Sequence, residues 1–255
     1  MKVYIRAAIQ NISDMSEEDQ IDLALDNNTP ADVLTELANT ANEDNILDTE
    51  ELVKRIASNP NTPPEILERF ATQSPFIHIE PLVRRVASNP STPPELLSSL
   101  IDYSANVRAI VAENPSTPIT ILKMLSNPEE HIDVRYGIVC NKNLPRELVD
   151  ILVNDPDSDI RGELADREDL PKDVIENMLY KLVDDPDHLV RYSVARNLYC
   201  PTELLHILSD DEDYFVRGAA SQNPNMSTED LIKLSNDSFI AKTVLRELGK
   251  RGISI

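Results

Sequence analysis

The stretch LVKRIASNPNTPPEILERF, Leu52 to Phe70, returns almost letter for letter as LVRRVASNPSTPPELLSSL, Leu82 to Leu100. A worn copy, VRAIVAENPSTPITILKML, follows at Val107 to Leu125. Fainter copies start at Val134, Ile160, Val190 and Val216, and a degenerate one leads into Asn28-Thr29-Pro30. Counted at the Thr-Pro position, the copies sit at prolines 30, 63, 93, 118, 145, 171 and 201, with Ser227 in the last, so the period runs from 25 to 33 residues. A unit of that length cannot bury an apolar face by itself. Burial has to come from stacking on its neighbours, which makes the chain a solenoid.

Each copy reads as two short helices. In Thr62-Pro63-Pro64-Glu65 the threonine is placed to cap a helix, the proline fits its first turn, and Glu65 falls where a capping box needs an acid; Thr92-Pro93-Pro94-Glu95 repeats the pattern. Apolar residues follow at offsets of one and four: Ile66, Leu67, Phe70; Leu96, Leu97, Leu100; Ile121, Leu122, Leu125; Leu148, Val149, Leu152; Leu204, Leu205, Leu208. That spacing puts each trio on one helix face, the core face. The first half of the copy, as in Val107 to Asn114, predicts another helix with Val107, Ile110 and Val111 on a common side, stopped by Asn114-Pro115 because a residue before proline is driven out of helical geometry. Strand-like alternation recurs nowhere.

Composition removes several function classes. Five glycines in 255 residues leave no glycine-rich phosphate loop. Cys140 and Cys200 are too few for a disulfide framework or a four-cysteine metal site. The start, MKVYIRAAIQNISDM, lacks the basic and apolar blocks of a signal peptide, and no apolar run reaches membrane-spanning length, so a cytoplasmic protein with no membrane partner is expected. The net charge of −21, from 24 basic and 45 acidic residues, repels phosphate backbones and argues against nucleic acid.

The phrase VRxxVAxNPxTPxxxLxxL, best matched at Val107 to Leu125, resembles the repeat of the leucine-rich-repeat variant family, and the resemblance covers about residues 19 to 235. It implies an all-α fold, a right-handed α-solenoid (superhelix) of about eight two-helix repeats, some of whose helices are 3₁₀. Members of that family can carry an iron–sulfur cluster on an N-terminal cysteine group; the first cysteine here is Cys140, so that cofactor does not carry over. A looser similarity to HEAT and armadillo-like repeats lies in acid–arginine pairs six residues apart: Asp102 and Arg108, Glu129 and Arg135, Asp155 and Arg161, Asp185 and Arg191, Asp211 and Arg217. These pairs suggest a structural ladder along the stack. Residues 1–18 are expected to form an N-terminal cap, 19–235 the repeats and 236–255 a C-terminal capping helix, in one continuous domain. That helix reads as Asn236 to Leu248, with Phe239, Ile240, Val244, Leu245 and Leu248 on its apolar side and Gly249 after it.

Candidate sites are few. Asn59, Asn89, Asn114, Asn141, Asn197 and Asn223 recur near helix ends, where asparagine bonds a nearby turn, or alternatively offers a contact row to a peptide main chain. Tyr136 and Tyr192 occupy one repeat position, where other copies have Ala109, Gly162 and Gly218; that column is either half-buried packing or an aromatic anchor. Lys54, Arg55, Arg84 and Arg85 stand in matching places within residues 51–100, which hold 5 acids and 5 bases, whereas residues 1–50 hold 12 acids and 2 bases. The four cations are solvated helix surface or a strip for an acidic segment. If the copies at Leu52 and Leu82 have lost one residue, Lys54 and Arg84 instead align with Arg108 and begin the ladder. Asp210-Asp211-Glu212-Asp213 lacks the glycine and distant glutamate of a calcium loop and reads as an inter-repeat turn. The histidines, His78, His131, His188 and His206, share no ligand spacing. No catalytic, cofactor or metal residue is assigned. The reading is a non-enzymatic protein-binding scaffold, its candidate partner-binding residues being Lys54, Arg55, Arg84, Arg85, Tyr136 and Tyr192; the alternative is a HEAT-like solenoid enzyme or nucleic-acid-handling protein of the DNA glycosylase type.

Overall fold

The computed structural model describes residues 12–41 and 46–253. Among them are seventeen α-helices, three 3₁₀ turns (Ile12–Asp14, Phe76–His78, Leu100–Asp102) and no strand. The helices alternate in pairs. They are α1 Glu17–Leu25 and α2 Ala31–Asn39, α3 Ile46–Ser58 and α4 Pro64–Thr72, α5 Glu80–Ser88 and α6 Pro94–Ser99, α7 Ala105–Glu113 and α8 Ile119–Leu125. After these come α9 Ile132–Cys140 and α10 Arg146–Leu152, α11 Ser158–Ala165 and α12 Lys172–Leu182, α13 His188–Arg196 and α14 Thr202–Leu208, α15 Tyr214–Gln222 and α16 Thr228–Leu234. Eight pairs are thus followed by a lone α17, Ala241–Lys250. The chain divides into two compact units, residues 1–125 with 133–143, and residues 126–132 with 144–255.

Within each unit the odd-numbered helices stack on one another: α1, α3, α5 and α7 in the first, α11, α13, α15 and α17 in the second. Helix α9 approaches α7 closely enough that a Cβ on Gly137 would run into the Ala109 carbonyl, so only glycine fits there. The even helices bury the predicted trios, from Ile66, Leu67 and Phe70 to Leu204, Leu205 and Leu208. Phe70 also packs its ring 5.1 Å from Phe76.

Three sets of hydrogen bonds recur, the first within each repeat and the other two between neighbouring repeats. In the first, buried Thr29, Thr62, Thr92 and Thr117 donate their hydroxyls to Leu23, Ile56, Val86 and Val111, six residues earlier, at 2.5–2.6 Å. This corrects the expected threonine cap and capping box. The proline itself, extended at φ −60° and ψ 144° in Pro63, occupies the N-cap without a side-chain bond. Pro93, Pro145, Pro171 and Pro201 do the same. Where Ser227 replaces the proline a side-chain cap forms at this position: its Oγ accepts from the Asp230 amide at 3.0 Å and donates to Asp230 Oδ2 at 2.7 Å.

The asparagines make the second ladder. Asn89 Nδ2 donates to the Ala57 and Asn59 carbonyls of the preceding repeat, and its Oδ1 accepts from the Ser91 amide. Asn59, Asn114, Asn141, Asn197 and Asn223 repeat the geometry. They cap the previous helix, not their own turn alone. Arg167 takes the place of an asparagine in the copy between Asn141 and Asn197, with its guanidinium bidentate on Asp169.

The acid–arginine ladder is out of phase with its sequence pairing. In the second unit Arg161, Arg191 and Arg217 each reach the carboxylate of the next repeat, Asp185, Asp211 and Asp237, at 2.6–2.7 Å. The acid six residues before each arginine supplies instead a backbone carbonyl: Asp155, Asp185 and Asp211. Burial pushes Asp211 and Asp237 up, but the arginine on each and the turn amides that follow outweigh it and hold both below the usual carboxylate range.

The expected N-terminal cap falls mostly on residues 1–11, which lie outside the described residues; the first described α-helix starts at Glu17. At the other end α17 begins at Ala241, not Asn236, because Asp237 Oδ1 holds the Phe239 and Ile240 amides in a turn. Ile240, Val244 and Leu248 are buried, whereas Phe239 and Leu245 are exposed. Gly249 lies inside the helix, and Gly252, at φ +75°, follows its end.

Candidate partner-binding surface

Because every odd helix from α3 to α7 ends just before its ladder asparagine, side chains can be aligned by counting back from it. The position five residues earlier is Lys54, Arg84, Ala109 and Tyr136 in the first unit, and Gly162, Tyr192 and Gly218 in the second. The residue that aligns with Arg108 is Val53 or Val83, each fully buried. No residue has been lost, and the basic strip does not start the arginine ladder. It shares a column with the tyrosines.

In that column Arg84 and Tyr136 are exposed, Lys54, Ala109, Gly162 and Tyr192 half-buried and Gly218 buried, and its two cations, with Arg55 and Arg85 next to them, fare differently. Lys54 contacts Glu50 at 3.3 Å and Glu51 at 3.1 Å, and Arg55 contacts Glu51 at 2.6 Å. Its bond to Glu51 raises the Lys54 pKa, and the Lys54 bond lowers that of Glu51. In α5 the corresponding residues are Glu80 and Pro81. Glu80 accepts the Ser104 hydroxyl at 2.8 Å and Pro81 has no charge. Arg84 and Arg85 are therefore exposed, with no ion pair among the described residues. They form one wall of a groove of about 240 Å³ completed by Pro81, Ser88 and Ile110. Ile110, expected on one helix side with Val107 and Val111, is half-buried while they are buried, and it lines this groove and the adjoining one, of about 330 Å³, which Pro115, Cys140 and Lys142 help to enclose.

Tyr136 is exposed on α9. In the second unit Tyr192 is half-buried, with the Arg196 guanidinium 5.5 Å from its ring centroid. The pair lines a groove of about 200 Å³ with Leu198, Gln222 and Pro224. Ile110, Leu198 and Gln222 carry no motif.

Other chemistry has no comparable assembly. The Cys200 thiol is pushed up to about 12 by burial, which removes its nucleophile at neutral pH. Cys140 is half-buried at a groove wall. His206 Nδ1 lies 2.7 Å from Asp230 Oδ1, an inter-repeat contact. The run from Asp210 resolves into structural duties: Asp210 pairs with Lys233, Asp211 with Arg191, and Asp213 caps α15. Among the described residues no cluster of three potential ligands could hold a metal ion, and no helix is long and apolar enough to cross a membrane.

No protein-family model and no curated protein matches the chain. A solved structure described as a leucine-rich repeat variant with a novel repetitive structural motif does match, with a TM-score of 0.58 over 88% of this chain and 87% of that one, at 25% identity. This chain has the leucine-rich repeat variant fold. The likeness read from VRxxVAxNPxTPxxxLxxL is borne out, and with it the all-helical repeat architecture. The ladders and trios are committed to stacking, so the side chains outside them are the ones that differ between copies.

Proposed function

We propose that this leucine-rich repeat variant is a non-enzymatic scaffold whose first unit holds a partner protein through an acidic, partly apolar segment. One observation carries the reading: Arg84 and Arg85 stand exposed and unpaired at the wall of a groove floored by Ile110, in a chain of net charge −21. Two arginines beside an apolar strip match carboxylates in a bidentate manner and give the contact both orientation and desolvated area. Tyr136 in the same column extends the surface with an aromatic side chain.

The test is a binding titration with a short peptide of alternating glutamate and leucine. Arg84→Glu with Arg85→Glu is expected to abolish binding while the helical spectrum and the urea midpoint stay unchanged. Binding that survives the double reversal would refute the assignment of this groove. Salt-dependent binding of duplex DNA would favour the nucleic-acid alternative instead.

A further inference from the structure

The four phenylalanines split by position. Phe70 and Phe76 lie in the core, whereas Phe215 and Phe239 are 55% and 73% exposed. Both exposed rings gather around Tyr214, itself 41% exposed: Tyr214 lies 4.2 Å from Phe215 and 5.3 Å from Phe239, the latter nearly parallel at 24°. Only 4% of the chain is aromatic, so three adjoining rings in solvent are a concentrated apolar surface. The backbone presents them in register. Leu189 (57% exposed), Phe215 and Phe239 each donate an amide to the aspartate two residues earlier, Asp187, Asp213 and Asp237. The result is an apolar row along the N-terminal edge of α13 and α15 and the residues leading into α17.

Its surroundings select the occupant. Glu212, beside Tyr214, has a side chain 91% exposed and only a 3.8 Å contact with Arg191. Asp187 and Asp213 stand at the same edge. One exposed cation, Lys242, follows Phe239 by three residues. The second unit as a whole contains 25 acidic and 13 basic residues. An acidic segment is repelled here, and two copies meeting through this edge would bring like charges together. A guanidinium or ammonium group gains twice, from the carboxylates and from the faces of the rings.

We propose that this edge is a second docking surface, one that takes a cationic segment carrying arginine or lysine beside apolar residues, from a partner protein. It is separate from the Arg84–Arg85 groove and opposite to it in charge preference.

The chain has no tryptophan, so Phe215→Trp places a unique emission reporter on the platform while keeping an aromatic ring. The probe is a short peptide of alternating arginine and leucine, titrated into that variant alone and combined with Phe239→Ala or Glu212→Lys. The expected result is a saturable emission shift whose Kd rises about tenfold or more in each combined variant, the loss of a hot-spot contact. Arg84→Glu with Arg85→Glu leaves this titration unchanged, so failure here and failure of the groove reading are told apart. Phe239 is mostly solvent-exposed, and an unaltered urea midpoint confirms that Phe239→Ala still folds. The proposal is overturned by no shift, by an equal response to a glutamate–leucine peptide, or by a Kd indifferent to Phe239→Ala, which would mean diffuse attraction by the acidic surface. A peptide-independent shift accompanied by dimer in sedimentation would also overturn it, in favour of a second copy.

Discussion

At Asn89 three hydrogen bonds meet in a volume closed to water: two from its amide to the Ala57 and Asn59 carbonyls, one from the Ser91 amide to its oxygen. Removing the side chain strands the Ala57 carbonyl and the Ser91 amide and leaves the Asn59 carbonyl with the Thr62 amide alone, and each buried polar group left unpaired costs about 1–3 kcal/mol. Asn89→Ala is therefore expected to destabilise by roughly 3 kcal/mol or more in urea denaturation. Asn89→Asp should cost more at neutral pH, since it aims a carboxylate at two carbonyl oxygens. Burial and these oxygens raise the folded pKa of such a group, so stability recovers as pH falls through that value and the acid protonates. An aspartate already occupies the equivalent place in the first repeat. Asp26 accepts from the Asn28 amide and side chain in solvent, and the Asn28 backbone bond is the main cause of its lowered pKa. Thr92 makes a simpler case: Thr92→Val keeps the volume and loses only the bond to the Val86 carbonyl, for about 1 kcal/mol.

For a whole helix, what matters is which neighbour its ends are tied to. Helix α13 is held at its start by Asp187 and across the stack by Arg191 on Asp211, a pair only 10% and 7% exposed. Arg191→Ala leaves that carboxylate without its counter-charge and is expected to cost about 3–5 kcal/mol. The same pairing sets the acid response. Folded Asp211 and Asp237 titrate below their unfolded values, so their contribution is complete above about pH 4 and is lost as pH falls through the lower folded values. The urea midpoint of the second unit should therefore drop as pH falls below about 4, and Asp237→Asn should flatten the drop. Helix existence was legible in the sequence because proline fixes each start and apolar trios fix each buried face. The direction of the polar side chains was not. Thr62, Asn89 and Arg191 reach six, about thirty and twenty residues away, and a local motif cannot distinguish those partners from a cap on its own turn. The free charge at Arg84 was hidden for a similar reason. Lys54 and Arg84 look alike until the residues four before them, Glu50 and Glu80, are seen to have different partners.

At the scale of the molecule, a stack of repeats has no central core, and its stability is close to a sum of repeat and neighbour terms. The outward columns can then change freely, and they differ between the units: arginines over an isoleucine groove in one, tyrosine, arginine and an aromatic edge in the other. Repeat count and fold follow from spacing alone. The aromatic edge does not, because Phe215 and Phe239 fit a helical apolar pattern as well as core residues would. Burial separates them from Val244 and Leu248, which close the second unit against α15 and α16. Leu248→Ala should remove a fully buried side chain at a cost of about 2–5 kcal/mol. In a nearest-neighbour stack that loss is local. Amide hydrogen exchange should accelerate most in α17, α15 and α16, less in α13 and α14, and least in α11 and α12. Equal acceleration across all of these helices would mean that the second unit opens as one cooperative block, and the additive description would fail for it.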